Sequence, residues 1–201
     1  MSGRTLCRRC LRPVGFCVCA HLPTLTPRTR VVILQHPREA GLAICSARLT
    51  IAALAGSELH VGLRFEAHPR VRALCAEPGT ALLFPGEGST PVNRLTATPP
   101  ATLLVLDGNW PQALKMLRDN PSVAALPRVS IEAAAPSGYG GLRREPEAGH
   151  LATIDAVAEA LGALEGDPAR YAPLREAFRR SVELQVACAR GERRSPRHRP
   201  G

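Results

Sequence analysis

Leu103-Leu104-Val105-Leu106 is a short, wholly apolar run that ends in Asp107-Gly108, and runs of this kind recur along the chain. Val31-Val32-Ile33-Leu34-Gln35 and Ala81-Leu82-Leu83-Phe84 are close to it in kind, and Leu59 to Leu63 and Arg128 to Ile131, which carry polar residues, read as two further short strands, five in all. A strand that is apolar on both faces must be covered on both faces, which is the condition of parallel strands in α/β proteins. Between and after the runs lie stretches that suit helices: Ile44 to Leu54, Pro111 to Arg118 with proline in its first turn, Thr153 to Leu164, and Tyr171 to about Ala189. This alternation predicts an α/β fold, a mainly parallel sheet with flanking helices. A chain of 201 residues with 45% hydrophobic content has room for one such domain and a small appendage. No apolar stretch reaches the roughly 18 residues that a membrane span needs.

Three of the runs end in chemically loaded turns. His36-Pro37-Arg38-Glu39 follows the first, Pro85-Gly86-Glu87-Gly88 the third, and Asp107-Gly108-Asn109-Trp110 the fourth. Ligands of open α/β sheets bind at the carboxyl ends of the strands, so turns that converge there predict a ligand site. The competing reading of the last turn is scaffold: an Asp helix cap beside a tryptophan packed on the sheet. Neither a phosphate-binding P-loop nor a G-x-G-x-x-G motif occurs, which leaves ordinary mononucleotide and dinucleotide binding unsupported. A further loaded segment is Leu142-Arg143-Arg144-Glu145-Pro146, with Thr153 beyond it placed to cap a helix.

Four of the seven cysteines fall in Cys7-x2-Cys10-x6-Cys17-x-Cys19. Two close pairs on short loops can set four thiolates at the corners of a tetrahedron, which predicts a closed, structural zinc site. Disulfides would be the alternative in a secreted chain, but the N-terminus carries arginines and cysteines where a secretion signal is apolar. The chain therefore reads as cytoplasmic, and nothing in it calls for an obligate protein partner. Cys45, Cys75 and Cys188 read as buried small hydrophobes.

Charge is one-sided, with 26 basic residues against 17 acidic and a net charge of +9. All the basic residues but Lys115 are arginine, and the first 30 residues hold six arginines and no acid. The distribution points to a polyanionic partner, RNA above all, with Arg8, Arg9 and Arg12 on the knuckle as backbone contacts. The expected organisation is a zinc knuckle over residues 1–22, a linker from Pro23 to Pro27, an α/β catalytic domain over residues 28–190, and a basic tail without fixed structure over residues 191–201.

In order and approximate spacing, several segments together resemble the DTW-domain family, the tRNA-uridine aminocarboxypropyltransferases. They are the cysteine cluster, Leu34-Gln35-His36-Pro37-Arg38-Glu39, Phe84-Pro85-Gly86, Leu106-Asp107-Gly108-Asn109-Trp110 with Lys115-Met116, and Leu142-Arg143-Arg144-Glu145-Pro146 with Ala152-Thr153. The likeness runs over roughly residues 7 to 165. It departs in two places: Asn109 stands where the family's D-x-T-W has threonine, and Ala152-Thr153 stands where a Ser-Thr pair is usual.

The resemblance implies a SPOUT-like fold whose C-terminal segments form a knot around the donor. It implies S-adenosylmethionine as donor, tRNA as partner, and transfer of the 3-amino-3-carboxypropyl group to N3 of a uridine with release of methylthioadenosine. On this basis Phe84, Pro85, Gly86, Leu106, Gly108, Asn109, Arg143, Arg144, Glu145 and Thr153 are the donor-binding candidates, and Lys115 joins the knuckle arginines as an RNA contact. Transfer needs a base for the uridine N3 proton, an oriented acceptor and in-line geometry; the leaving group, a neutral thioether, needs no acid. Asp107 is the candidate base, or alternatively the anchor of the donor's amino group, and Trp110 stacks on the uracil or walls the donor pocket. Competing functions are a SPOUT-type RNA methyltransferase, a ribosomal-RNA aminocarboxypropyltransferase, and a non-catalytic zinc-knuckle RNA-binding module.

Overall fold

A computed structural model of the chain describes residues 5–42, 45–131 and 151–190. Six strands form one sheet: β1 (Arg30–Gln35), β2 (Glu58–Val61), β3 (Thr80–Leu83), β4 (Thr90–Pro91), β5 (Thr102–Asp107) and β6 (Arg128–Ser130). Their order is β2-β1-β5-β3-β6-β4, and every pairing is parallel. The five segments read as strands are thus five of the strands. The two-residue β4 is too short to show an apolar pattern. Because β1, β5 and β3 are neighbours running the same way, their three loaded turns emerge at one edge.

Alternate residues of each strand face opposite ways. Val31 and Ile33 of β1, Leu103 and Val105 of β5, and Leu83 of β3 pack on one face against helices α2 (Ser46–Ala53), α6 (Thr153–Glu165) and α7 (Pro168–Ala189). Val32, Leu34, Leu104 and Leu82 pack on the other face against α3 (Pro69–Ala76), α4 (Trp110–Asp119) and the short α5 (Pro121–Ala124). A one-turn helix, α1 (Pro37–Ala40), follows β1. The result is a three-layer sandwich in which the central strands have no polar face, which is why their sequences read as unbroken apolar runs. Among the described residues no helix is long and apolar enough to cross a membrane.

Three helices had no counterpart in the sequence reading. Of them, α1 and α5 are single turns, and α3 buries only Val71 and Leu74 while carrying Arg70 and Arg72. Its start is set by Pro69 and by His68, whose Nδ1 accepts the Val71 N–H at 3.3 Å. Cys45 and Cys188 are buried as expected, but Cys75, on α3, is only half-buried. The segment from Pro23 to Pro27 is no free linker: Leu25 exchanges backbone hydrogen bonds of 2.8 Å with Ala53 and Ala55. The described residues do not show the implied C-terminal knot, and residues 132–150 and the expected tail over 191–201 lie outside them.

At the sheet edge, Glu58 of β2 accepts from Arg70 at 2.6 Å and sits 3.1 Å from the His60 ring. The Arg70 hydrogen bonds, followed by that of His60, hold the Glu58 carboxyl down at about 2. A carboxyl depressed in the folded state contributes stability above its unfolded value, and that contribution is lost as pH falls from about 4.5 through 2. Glu58→Gln is therefore expected to shallow the acid limb of unfolding stability in that window, measured by urea titration at stepped pH. An unaltered slope would remove this pairing from the acid response.

Candidate functional site

β1 ends in Gln35 and β5 in Asp107, and the two are register partners. Alternation puts both on the α6 face of the sheet, beyond Ile33 and Val105. Gln35 is fully buried and Asp107 is 7% exposed. The Gln35 amide donates from Nε2 to Asp107 Oδ2 at 2.7 Å and reaches Cys45 Sγ at 3.1 Å. The Thr153 hydroxyl, on the first turn of α6, donates to Asp107 Oδ1. Donors from two elements thus hold the carboxylate by both oxygens, fixing an acceptor at the carboxyl end of the central strand. Burial, and then the negative charge of Asp107, push the neighbouring Cys45 thiol up from its usual range.

Two expectations about helix caps are corrected here. Thr153 does not cap α6: the N-cap is Ala152, which has no side-chain group to cap with, and Thr153 turns its hydroxyl to Asp107 instead. Asp107 does not cap the helix after β5 either. That cap is Asn109, whose side chain accepts the Gln112 N–H at 3.0 Å while Gln112 Oε1 accepts the Asn109 N–H at 2.7 Å. This is a complete capping box, and asparagine ranks with the strongest N-caps. The departure from threonine at position 109 therefore keeps the turn. Gly108 lets Gln112 come close: a Cβ there would stand 3.0 Å from Gln112 Cβ, so the Gln112 side chain would have to give way.

Trp110 opens α4, and its ring stacks on that of Phe84 with centroids 5.2 Å apart and planes 9° apart. Phe84 directly follows β3 and packs with Leu104 and Leu82, with Leu106 and Trp110 beside them. Asp107 and the aromatic pair therefore reach one sheet edge from its two faces. Pro85 and Gly86 continue from Phe84, with Gly86 at φ 139°, a conformation that favours glycine. Arg143, Arg144 and Glu145 lie outside the described residues. His36 is a satisfied loop histidine: it caps α1, its Nδ1 accepting the Arg38 N–H at 3.2 Å.

Sequence reasoning gave Gln35 no role, because its partnership with Asp107 depends on strand order and register across 72 residues. Gln35→Leu keeps the bulk and deletes the donor. It is expected to cost about 1.5–3 kcal/mol, the range for a hydrogen bond to a charged group. Urea unfolding would show the loss; an unmoved midpoint would mean the contact contributes nothing.

The four N-terminal thiols come together. Cys7 and Cys19 sulfurs are 3.7 Å apart, Cys10 and Cys17 sulfurs 3.8 Å, and all four ligand atoms lie within 4.8 Å of one another. These distances are well beyond a disulfide bond. A tetrahedral zinc with bonds of about 2.3 Å has sulfur–sulfur edges of about 3.8 Å, so the residues fit the metal. The backbone N–H groups of Cys10 and then Arg9 bring the Cys7 thiol down to about 6, whereas burial pushes Cys10 and Cys19 up.

The knuckle is built onto the body, with Cys10, Val18 and Leu22 in the same core as α2, α6 and α7. Arg9 spends its guanidinium on the carbonyls of Ala52, Cys19 and Pro23 and on the Thr24 hydroxyl, at 3.0–3.3 Å. Arg12 donates to Ser181 of α7, and burial lowers its pKa. Two of the three knuckle arginines expected to meet RNA thus fasten the knuckle to the domain. Arg8 is exposed, and Lys115 is exposed and paired with Asp119 at 2.6 Å.

The DTW domain model matches residues 4–186. A fruit-fly (Drosophila melanogaster) protein named tRNA-uridine aminocarboxypropyltransferase 2 is 32% identical over 175 residues, covering 83% of this chain and 69% of the fly protein. The mouse (Mus musculus) protein of the same name is 31% identical over 172 residues, covering 81% of this chain and 57% of its own length. An Arabidopsis thaliana protein, tRNA-uridine aminocarboxypropyltransferase A, is 30% identical over 200 residues, covering 82% and 74%. No solved structure matches the chain significantly. With the cysteine cluster and the Asp107–Trp110 turn both inside the matched span, the chain belongs to the DTW-domain family.

Proposed function

We propose that this chain transfers the 3-amino-3-carboxypropyl group of S-adenosylmethionine to N3 of a uridine in tRNA, leaving methylthioadenosine. The observation that carries the reading is the Asp107 carboxylate, clamped by Gln35 and Thr153 at the carboxyl end of β5 with the Phe84–Trp110 stack at the same edge. The names of the relatives supply the reaction class.

In this reading Asp107 takes the N3 proton as the nitrogen forms its bond to the side-chain methylene next to the sulfonium. The carbon–sulfur bond breaks, its electron pair stays on sulfur, and the sulfonium charge disappears. Orientation matters more than acidity here, because no leaving group needs a proton. Trp110 offers a face for the flipped uracil; stacking of a base on an aromatic ring is worth about 1–3 kcal/mol. The turn Pro85-Gly86 with Leu106 and Gly108, together with Arg143, Arg144 and Glu145, holds the donor, the arginines by two-pronged hydrogen bonding to its carboxylate. Zinc on the four knuckle thiolates is structural, and Arg8 and Lys115 meet the tRNA backbone.

The test is incubation of the purified protein with S-adenosylmethionine and unmodified tRNA, followed by nucleoside mass analysis and identification of the co-product. A uridine heavier by the whole side chain, with methylthioadenosine, is the expected result. A gain of one methyl group, with S-adenosylhomocysteine, would make the chain a methyltransferase.

A further inference from the structure

Seven arginines among the described residues are half-buried, and six of them are engaged through their guanidinium groups. Arg12 donates to Ser181, Arg30 to Glu77, Arg48 to the Ala40 carbonyl, Arg70 to Glu58, Arg170 to Glu165 and Arg175 to Glu159. Arg128, the first residue of β6, is the seventh, and among the described residues its guanidinium has no hydrogen-bond or ion-pair partner. No Arg128 nitrogen is both buried and without a partner, so the guanidinium keeps contact with water while its stem is covered, and it can exchange that water for an anion.

The place of Arg128 says what it is kept for. It pairs in register with Leu82 of β3, and the next residue, Val129, packs in the core on the α6 face. Alternation turns Arg128 to the opposite face, the one that carries Phe84 and Trp110. Arg128 Nη1 lies 3.6 Å from where a Cβ on Gly86 would stand. The guanidinium therefore lies next to Gly86 in the Pro85–Gly88 turn. A cation without a partner among the described residues, on the sheet face that carries stacked aromatic rings, is the combination that single-stranded nucleic acid calls for, with rings for bases and charge for backbone.

We infer that Arg128 binds a phosphate oxyanion of the tRNA strand next to the target uridine, an assignment that rests on the transferase reading above. Arg128 is then a substrate-binding residue that fixes the register of the RNA over Trp110.

The test uses Arg128→Gln and Arg128→Lys in the full chain. tRNA affinity is measured from about 50 to about 200 mM salt, and S-adenosylmethionine affinity by calorimetry. Arg128→Gln is expected to weaken tRNA binding about 3–10-fold at low salt and to make the slope of log affinity against log salt shallower by about one. Arg128→Lys, which keeps the charge, is expected to retain the slope, and both variants to bind S-adenosylmethionine as the parent does. An unchanged slope in Arg128→Gln overturns the assignment. So does a selective loss of S-adenosylmethionine affinity, which would place the donor carboxylate on Arg128. A parent protein that binds tRNA and makes no product removes the transferase reading, whereas either of the preceding failures in an active protein removes only Arg128 from it.

Discussion

Replacing Asp107 by asparagine is expected to lower turnover by about 10²–10⁴-fold, the range that a positioned acid or base supplies, while tRNA binding persists. Size is preserved, so the effect isolates charge and polarity. The Asp107 carboxylate accepts from Gln35 on one oxygen and from Thr153 on the other. An asparagine can keep its oxygen toward the Gln35 amide and turn its NH2 to the Thr153 hydroxyl, which accepts as readily as it donates. The two contacts then survive, and the charge and proton-accepting oxygen are what is lost. Turnover within a few-fold of the parent would remove Asp107 from the chemistry, whereas a parent that binds tRNA and makes no product would favour the RNA-binding-module reading. Single-turnover kinetics with saturating donor separate this from a binding defect.

The second large effect concerns the knuckle. The double variant Cys17→Ser, Cys19→Ser is expected to lose bound zinc, measured by elemental analysis, and to melt well below the parent. In zinc-finger peptides structural zinc supplies about 10–16 kcal/mol. Even a quarter of that, at 2–4 °C per kcal/mol for a chain of this size, lowers the midpoint by about 5–16 °C. The penalty reaches the domain because Cys10, Val18 and Leu22 belong to the main core, and because Arg9 and Arg12 tie the knuckle to Ala52 and to α7. Equal, negligible metal in both proteins with equal melting points would end the proposal.

The strands were legible because burial on both faces leaves no polar residue to interrupt a run such as Leu103 to Leu106. Parallelism alone put the three loaded turns at one edge of the sheet, but bringing them together needed β1, β5 and β3 to be neighbours. Strand order was not legible, and with it went Gln35, whose meaning depends on lying beside Asp107. Caps were misread for a related reason. Thr153 has the residue type and position of an N-cap, but a buried carboxylate facing it from β5 took its hydroxyl, and Asn109 served as cap where Asp107 had been the candidate. The knuckle arginines show the limit of charge counting. Arg9 looks like a phosphate contact in sequence, yet four acceptors within 3.3 Å take its donors.

The most direct measurement follows the fate of two labels in one reaction. S-Adenosylmethionine carrying isotope in its aminocarboxypropyl chain, and separately in its methyl group, is incubated with the protein and unmodified tRNA. Chain label is expected in tRNA uridine, at N3, and methyl label in methylthioadenosine. Methyl label in the tRNA, with chain label left in S-adenosylhomocysteine, would contradict aminocarboxypropyl transfer.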